Sequence, residues 1–157
     1  MSFLLRKIRL SLRYQYLRAD FDVESVIPDI VRITRSRKTH RIKAVFLGEE
    51  PLFRFRPMDG FFVPASLGAQ MLHSALPNDL YRVWIDSSVS EFIRAGKTVF
   101  NKHVVSSDPD IRVGDEILIL DESGALLGYG SAAVPGFMLG RLLSGPAVKT
   151  RGGFLIS

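Results

Sequence analysis

The stretch Phe92–Leu120, FIRAGKTVFNKHVVSSDPDIRVGDEILIL, decides how the chain is read. Ser90 to Ala95 has helical spacing, with apolar Phe92 and Ile93 beside polar Glu91 and Arg94. Gly96 is where that helix stops, because a left-handed cap residue meets no Cβ clash when it is glycine. Thr98 to Val105 carries β-branched and aromatic residues at strand density. Asp108-Pro109 has the form of an N-cap followed by proline at the first helical position, which predicts a one-turn helical corner. Val113-Gly114-Asp115 signals a turn, and Ile117 to Leu120 is an apolar run short enough for a buried strand. Asp121-Glu122-Ser123-Gly124 then closes a hairpin into Ala125 to Val134.

The pattern resembles the PUA domain, an RNA-binding module. The residues that carry the resemblance are Gly96-Lys97-Thr98-Val99-Phe100, Lys102-His103-Val104-Val105, Asp108-Pro109-Asp110-Ile111-Arg112, Gly114-Asp115-Glu116 and Gly128-Tyr129-Gly130. The implied fold is a pseudobarrel of mostly antiparallel strands with two helical segments. Its strands are expected at Tyr81 to Asp86, Thr98 to Val105, Glu116 to Leu120, Ala125 to Val134 and Ala147 to Thr150. Val83, Ile85, Phe92, Val99, Ile117, Ile119, Leu126 and Val148 are its expected core.

Before it, the chain reads as α+β. Leu4, Leu5, Ile8, Leu12 and Tyr16 fall on one helical stripe, with Arg6, Arg9 and Arg13 opposite. Such a stripe packs on its own domain or lies on a membrane surface, and the first is the commoner use. Strands are expected at Val31 to Thr34, Ile42 to Leu47, Leu52 to Arg56 and Phe61 to Val63. Turns fall at Gly48 to Pro51 and at Pro57 to Gly60. Ser66 to Leu76 reads as a helix with Leu67, Met71, Leu72 and Ala75 inward. Tyr14-Gln15-Tyr16, Ser36-Arg37-Lys38-Thr39-His40-Arg41-Ile42, Arg56-Pro57-Met58-Asp59-Gly60-Phe61-Phe62 and Gly68-Ala69-Gln70-Met71-Leu72 look like the small domain that precedes the PUA domain in archaeosine tRNA-guanine transglycosylases. The chain departs from that pattern at His40, where glycine is expected, and at Leu17-Arg18-Ala19-Asp20, where a glycine-rich continuation is usual. Pro77-Asn78-Asp79 reads as a boundary, giving an α+β domain over 1–77 and the PUA domain over 79–157.

Charge divides the same way. Residues 1–78 hold 13 Lys and Arg against 7 Asp and Glu, a net of +6, while residues 79–157 hold 8 against 9, a net of −1. A one-sided basic excess suggests a polyanionic partner, nucleic acid first, although it also serves solubility. The chain has no cysteine, so neither a disulfide framework nor a thiolate metal site is expected. With no apolar run near the roughly 20 residues that span a bilayer, and no leader pattern at its start, the expectation is a cytoplasmic protein without membrane partners.

Chemistry-bearing motifs mostly fail on inspection. Gly96-Lys97-Thr98 lacks the first glycine of a phosphate loop, since Glu91 stands there, and it follows a helix where a phosphate loop follows a strand. What remains is either a helix cap or a turn whose backbone N–H groups approach phosphate beside Lys97. Gly128-Tyr129-Gly130 is no dinucleotide fingerprint, because Val134-Pro135-Gly136 breaks the helix that should open there. Glycines in a barrel strand allow a bend or close backbone approach. His40, His73 and His103 lack the spacing of a zinc site. His103 is read either as a base-stacking or phosphate-donating residue or as a half-exposed strand histidine. Asp59 and Asp115 sit in glycine turns, where Asp accepts local N–H bonds.

The transglycosylase resemblance implies a catalytic barrel of about 250 residues with carboxylates and a cysteine-rich zinc site, and the sequence contains none of these. The expectation is therefore an RNA-binding protein with no catalytic residue, no metal, no cofactor and no small-molecule substrate. The resemblance implies tRNA as the target, through its acceptor stem and 3′ end. Candidate contacts in the PUA domain are Arg94, Gly96, Lys97, Lys102, His103, Arg112, Lys149 and Arg151. In the first domain they are Arg35, Arg37, Lys38 and Arg41. The alternative is a non-catalytic subunit that docks on a separately encoded transglycosylase catalytic subunit.

Overall fold

The computed structural model describes residues 2–155. The chain divides into two compact units, Met1–Pro77 and Asn78–Ser157.

The first unit is α+β. Helix α1 (Phe3–Gln15) is capped by Ser2, whose hydroxyl accepts the Leu5 N–H at 3.0 Å. Leu5, Ile8, Leu12 and, just past the helix, Tyr16 are buried as the stripe predicts. Arg9 is a correction: it is 5% exposed, not on the outer face. Its guanidinium reaches out of the core to the Ile27 carbonyl at 2.9 and 2.8 Å and to Asp29 at 2.7 Å, which satisfies a charge that burial alone would penalise. The short helix α2 (Val23–Val26) lies between them in the chain. Strands β1 (Arg32–Arg35), β2 (Ile42–Leu47), β3 (Glu50–Phe55) and β4 (Phe62–Pro64) form an antiparallel sheet in that order. Glu50 and Pro51, read as turn residues, open β3, where Pro51 sits at a bulge opposite Phe46.

Gln15 fastens α1 to this sheet. Its side-chain amide donates to the Phe62 carbonyl at 2.8 Å and its oxygen accepts the Phe62 N–H at 2.6 Å. Helix α3 (Ser66–Ala75) buries Gly68, Ala69 and Leu72, not the predicted Leu67, Met71 and Ala75, which are half-buried. A Cβ on Gly68 would collide with the Leu52 carbonyl, so the smallest residue, not the largest, faces the sheet.

The second unit is a nearly closed six-stranded pseudobarrel in the order β6-β10-β9-β8-β5-β7. Its strands are β5 (Arg82–Ile85), β6 (Val99–Phe100), β7 (Val104–Ser107), β8 (Glu116–Leu120), β9 (Leu126–Ala132) and β10 (Pro146–Gly153). All pairings are antiparallel except β5 with β8. The expected single strand from Thr98 to Val105 is broken by a 3₁₀ turn, Asn101–His103. Asn101 is buried and its amide donates to the Gly145 and Pro146 carbonyls, both at 3.2 Å. Held there, the chain leaves β10 and crosses to pair β7 with β5, so β6 and β7 occupy the two edges of the barrel.

The Asp108-Pro109 corner is a turn and not a helix. Asp108 spends its carboxylate across the barrel and within the turn, accepting the Tyr81 N–H at 2.8 Å and the Asp110 N–H at 3.0 Å. Val83, Ile85, Val99, Ile117, Ile119 and Val148 are buried as expected. Phe92 is 62% exposed, because on the short helix α4 (Ser90–Arg94) it is the adjacent Ile93, 3% exposed, that faces inward. Leu127 replaces Leu126 in the core, where a bulge between Ile119 and Leu120 shifts the register of β9. Gly128 and Gly130 permit close strand approach, since a Cβ on either would strike the backbone of β10.

Candidate nucleic-acid interface

In the pseudobarrel, α4 ends in a Schellman cap. Gly96 has φ +87°; its N–H bonds the Ile93 carbonyl at 2.9 Å, and the Lys97 N–H bonds the Phe92 carbonyl at 3.0 Å. This is the geometry that closes a helix with a left-handed residue. It also corrects one expectation: both N–H groups are committed to the helix and cannot reach toward phosphate. What the turn offers a ligand is the exposed Lys97 side chain.

The end of β10 packs beside this cap. A Cβ on Gly153 would meet the Ile93 and Arg94 carbonyls, and the Arg94 guanidinium donates to the Phe154 carbonyl at 2.9 Å. Arg94 is half-buried and therefore ties the cap to β10. Arg151 is similarly engaged: its Nε donates to Glu116 Oε1 at 2.7 Å, and the Glu116 side chain is fully buried. Lys149, two residues earlier on β10, is exposed. Arg94 and Lys97 therefore lie at the α4 cap, whereas Arg151 is drawn toward Glu116 at the start of β8, the end of the sheet where Lys149 also lies. Lys102 is exposed and His103 half-buried on the 3₁₀ turn that closes the barrel. Arg112 stands apart, in the turn before β8, where its N–H is held by Asp115 at 2.8 Å.

In the first unit Arg35, Arg37, Lys38 and Arg41 are exposed on the hairpin between β1 and β2. The hairpin is closed by Ser36 N–H to the Arg41 carbonyl at 2.8 Å and His40 N–H to the Ser36 carbonyl at 2.9 Å. His40 has φ +60°, so the position where glycine was expected does adopt a glycine-like backbone. The Arg35 guanidinium donates to the His40 carbonyl at 3.0 Å.

Between this hairpin, the N-terminal half of α1 and the β3–β4 turn lies a groove of about 640 Å³. Its apolar lining includes Leu4, Ile8, Ile42 and Phe55; its basic lining is Lys7, Arg35, Arg41, Lys43 and Arg56. Arg56 is paired with Asp59. The turn carboxylate is held below its ordinary range; partial burial opposes this and is outweighed by the Arg56 and Phe61 hydrogen bonds. The other four cations have no acidic partner among the described residues. Sequence reasoning missed Lys7 and Lys43. The alternation in β2, which turns Lys43 outward between half-buried Ile42 and Ala44, was the available signal. Among the described residues no cluster of His, Asp or Glu could hold a metal ion, and no helix is long and apolar enough to cross a membrane.

Two family profiles account for nearly all of the chain. Residues 6–79 match the patch-forming domain C2 of tRNA-guanine transglycosylase, and residues 81–154 match the PUA domain. The chain is 41% identical over 142 residues to a tRNA-guanine(15) transglycosylase of Methanococcus maripaludis, covering 90% of this chain and 22% of that protein. It is 36% identical over 154 residues to the Methanocaldococcus jannaschii protein of the same name, covering 96% and 23%. The chain thus spans about a fifth of the length of these relatives. A conserved PUA domain protein from Thermoplasma acidophilum has the same fold, with a TM-score of 0.64 at 19% identity over 98% of this chain and 91% of that one. In order, then, the chain carries a domain matching the patch-forming domain C2 of tRNA-guanine transglycosylase and a PUA domain.

Proposed function

We propose that the chain binds structured RNA, with tRNA as its target and the acceptor stem and 3′ end as the part bound. The observation that carries this is the alignment of tRNA-guanine(15) transglycosylases across both domains. Their name says that they act on a guanine of tRNA. The exposed cations of both units support it. A-form RNA hides its base edges in a deep, narrow groove, so the contacts are phosphates, 2′-hydroxyls and unpaired bases. Lys97, Lys102, His103, Arg112 and Lys149 supply them in the PUA domain, with Arg94 and Arg151 contributing charge while they hold β10 in place. Arg35, Arg37, Lys38 and Arg41 supply them in the C2 domain. These 157 residues contribute binding and not base exchange, and they act in the cytoplasm. Cross-linking in cells followed by sequencing of the recovered RNA tests the reading: tRNA 3′ ends should dominate, and recovery no richer in tRNA than total RNA would refute it.

A second reading has its own observation. Phe3, Leu10 and Tyr14 on α1, and Leu17 just past it, are 83%, 59%, 69% and 70% exposed. An apolar stripe of this kind suits a protein partner, here a separately encoded transglycosylase catalytic chain. On that reading RNA binding is weak for this chain alone and becomes tight when the catalytic chain is added. Leu10→Glu then abolishes the gain without unfolding the chain.

A further inference from the structure

The geometry points to the groove of the C2 domain as a seat for one unpaired nucleotide of the bound RNA, a proposal that rests on the RNA-binding reading above. The site has two chemically distinct parts. Leu4, Ile42 and Phe55, each half-buried, give an apolar wall on which a planar base can lie. Lys7, Arg35 and Lys43 border it with positive charge that no carboxylate among the described residues neutralises. A volume of about 640 Å³ lies within the range of small-ligand sites, roughly 300–1,000 Å³. It is too small for a duplex, whose diameter demands an open face, and it suits a base that has left the stack. Splayed-out bases are what proteins read in RNA, by stacking and edge contacts, with the phosphate as an electrostatic anchor. A purely anionic ligand would not need the apolar wall, and a purely apolar one would not suit four cations without acidic partners. His40 lines the same groove and holds a left-handed backbone there. Non-glycine residues in that conformation cluster at ligand sites.

The test uses the full chain, isotope-labelled, with adenosine 5′-monophosphate, uridine 5′-monophosphate, ribose 5-phosphate and unfractionated tRNA as probes. Both mononucleotides should shift the backbone amides of Ile42, Lys43 and Phe55 saturably. Ribose 5-phosphate, which keeps the charge without the base, should bind there about five-fold more weakly or worse, the least that stacking of one base contributes. Unfractionated tRNA should move the same amides. Lys7→Gln with Lys43→Gln should weaken tRNA binding about ten-fold or more with an unchanged melting temperature. Arg54→Gln, an exposed cation on β3 away from the groove lining, should change it less than about two-fold. Equal binding of ribose 5-phosphate and mononucleotides would overturn the proposal, as would equal losses in the Lys7/Lys43 and Arg54 variants. If tRNA moves amides of the PUA domain and leaves the groove untouched, the groove proposal alone fails. If tRNA moves no amide anywhere, the RNA-binding reading fails and takes the groove with it.

Discussion

Lys97 and Gly96 are neighbours with separable jobs. Gly96 closes α4 at φ +87° with open space where a Cβ would go. Gly96→Ala therefore meets no neighbouring side chain or strand, but at positive φ its Cβ crowds its own following carbonyl oxygen, a strain of about 1–2 kcal/mol of stability, read from a urea melt. Lys97 is exposed and its N–H already serves the cap. Lys97→Ala should leave stability within about ±0.5 kcal/mol. It should weaken tRNA binding about ten-fold or more, the loss of one charge-assisted contact of about 1.5–3 kcal/mol. Fluorescence anisotropy with labelled tRNA reads the second effect. His40 is the reverse case, an L-residue holding φ +60°. His40→Gly removes the steric cost of that conformation and adds freedom to the unfolded chain, so the gain should be no more than about 1 kcal/mol. His40→Val, β-branched and intolerant of positive φ, should lose about 1–2 kcal/mol. Equal melting temperatures for the two variants would show that the hairpin rearranges around residue 40.

At the scale of elements, β10 is held by charges that also lie among the candidate contacts. Glu116 on β8 is fully buried and faces the half-exposed Arg151 at 2.7 Å. Arg151→Ala leaves that carboxylate with fewer donors in a dry place, and a loss of about 1–3 kcal/mol is expected. Lys149→Ala on the same strand should cost almost nothing, so paired thermal melts separate the residue that holds the strand from the one that faces solvent. The β8–β9 turn carries the clearest pH signal. The Ser123 hydroxyl holds the Asp121 carboxyl below its ordinary range; partial burial opposes this, and the Ala125 and Ser123 N–H groups add to it. A carboxylate depressed in the folded state stabilises above its unfolded pKa, and that stability is lost as pH falls through the folded value. Below about pH 4 the wild type should therefore lose stability more steeply than Asp121→Asn, in melts run from neutral pH downward. The elements that were legible from sequence owe it to local causes: the Gly96 stop, the bounds of β2 and β8, the turn at Asp59 and Gly60. Those misread depend on distant partners. Asn101 breaks a strand because carbonyls at Gly145 and Pro146 capture its amide, and Asp108 forgoes a helix cap for the Tyr81 N–H. Arg9 leaves the polar face for carbonyl and carboxylate groups 18 and 20 residues away. In the candidate site, exposed Lys97, Lys102 and Arg37 could be chosen by charge alone. The commitments of Arg94 and Arg151, and the meeting of Lys7 with Lys43, appear only once the elements are packed.

Across the whole molecule, the proposed RNA partner accords with how charge is distributed. The C2 half carries the basic excess, a net of +6 over residues 1–78, and its relatives' names refer to tRNA. On the proposed reading the chain supplies affinity without chemistry: purified chain incubated with tRNA and labelled guanine should incorporate none above background. The most direct measurement is the affinity of the full chain for unfractionated tRNA across a salt series. If basic side chains of both domains meet RNA phosphates, log K should fall linearly with log salt, with a slope near −0.7 to −0.9 per neutralised phosphate. The Lys7→Gln, Lys43→Gln double variant should flatten it by about 1.4–1.8, the share of two lysines each removed from a phosphate. Absence of tRNA binding at low salt, or an affinity that does not change as salt rises, would contradict RNA binding by these surfaces.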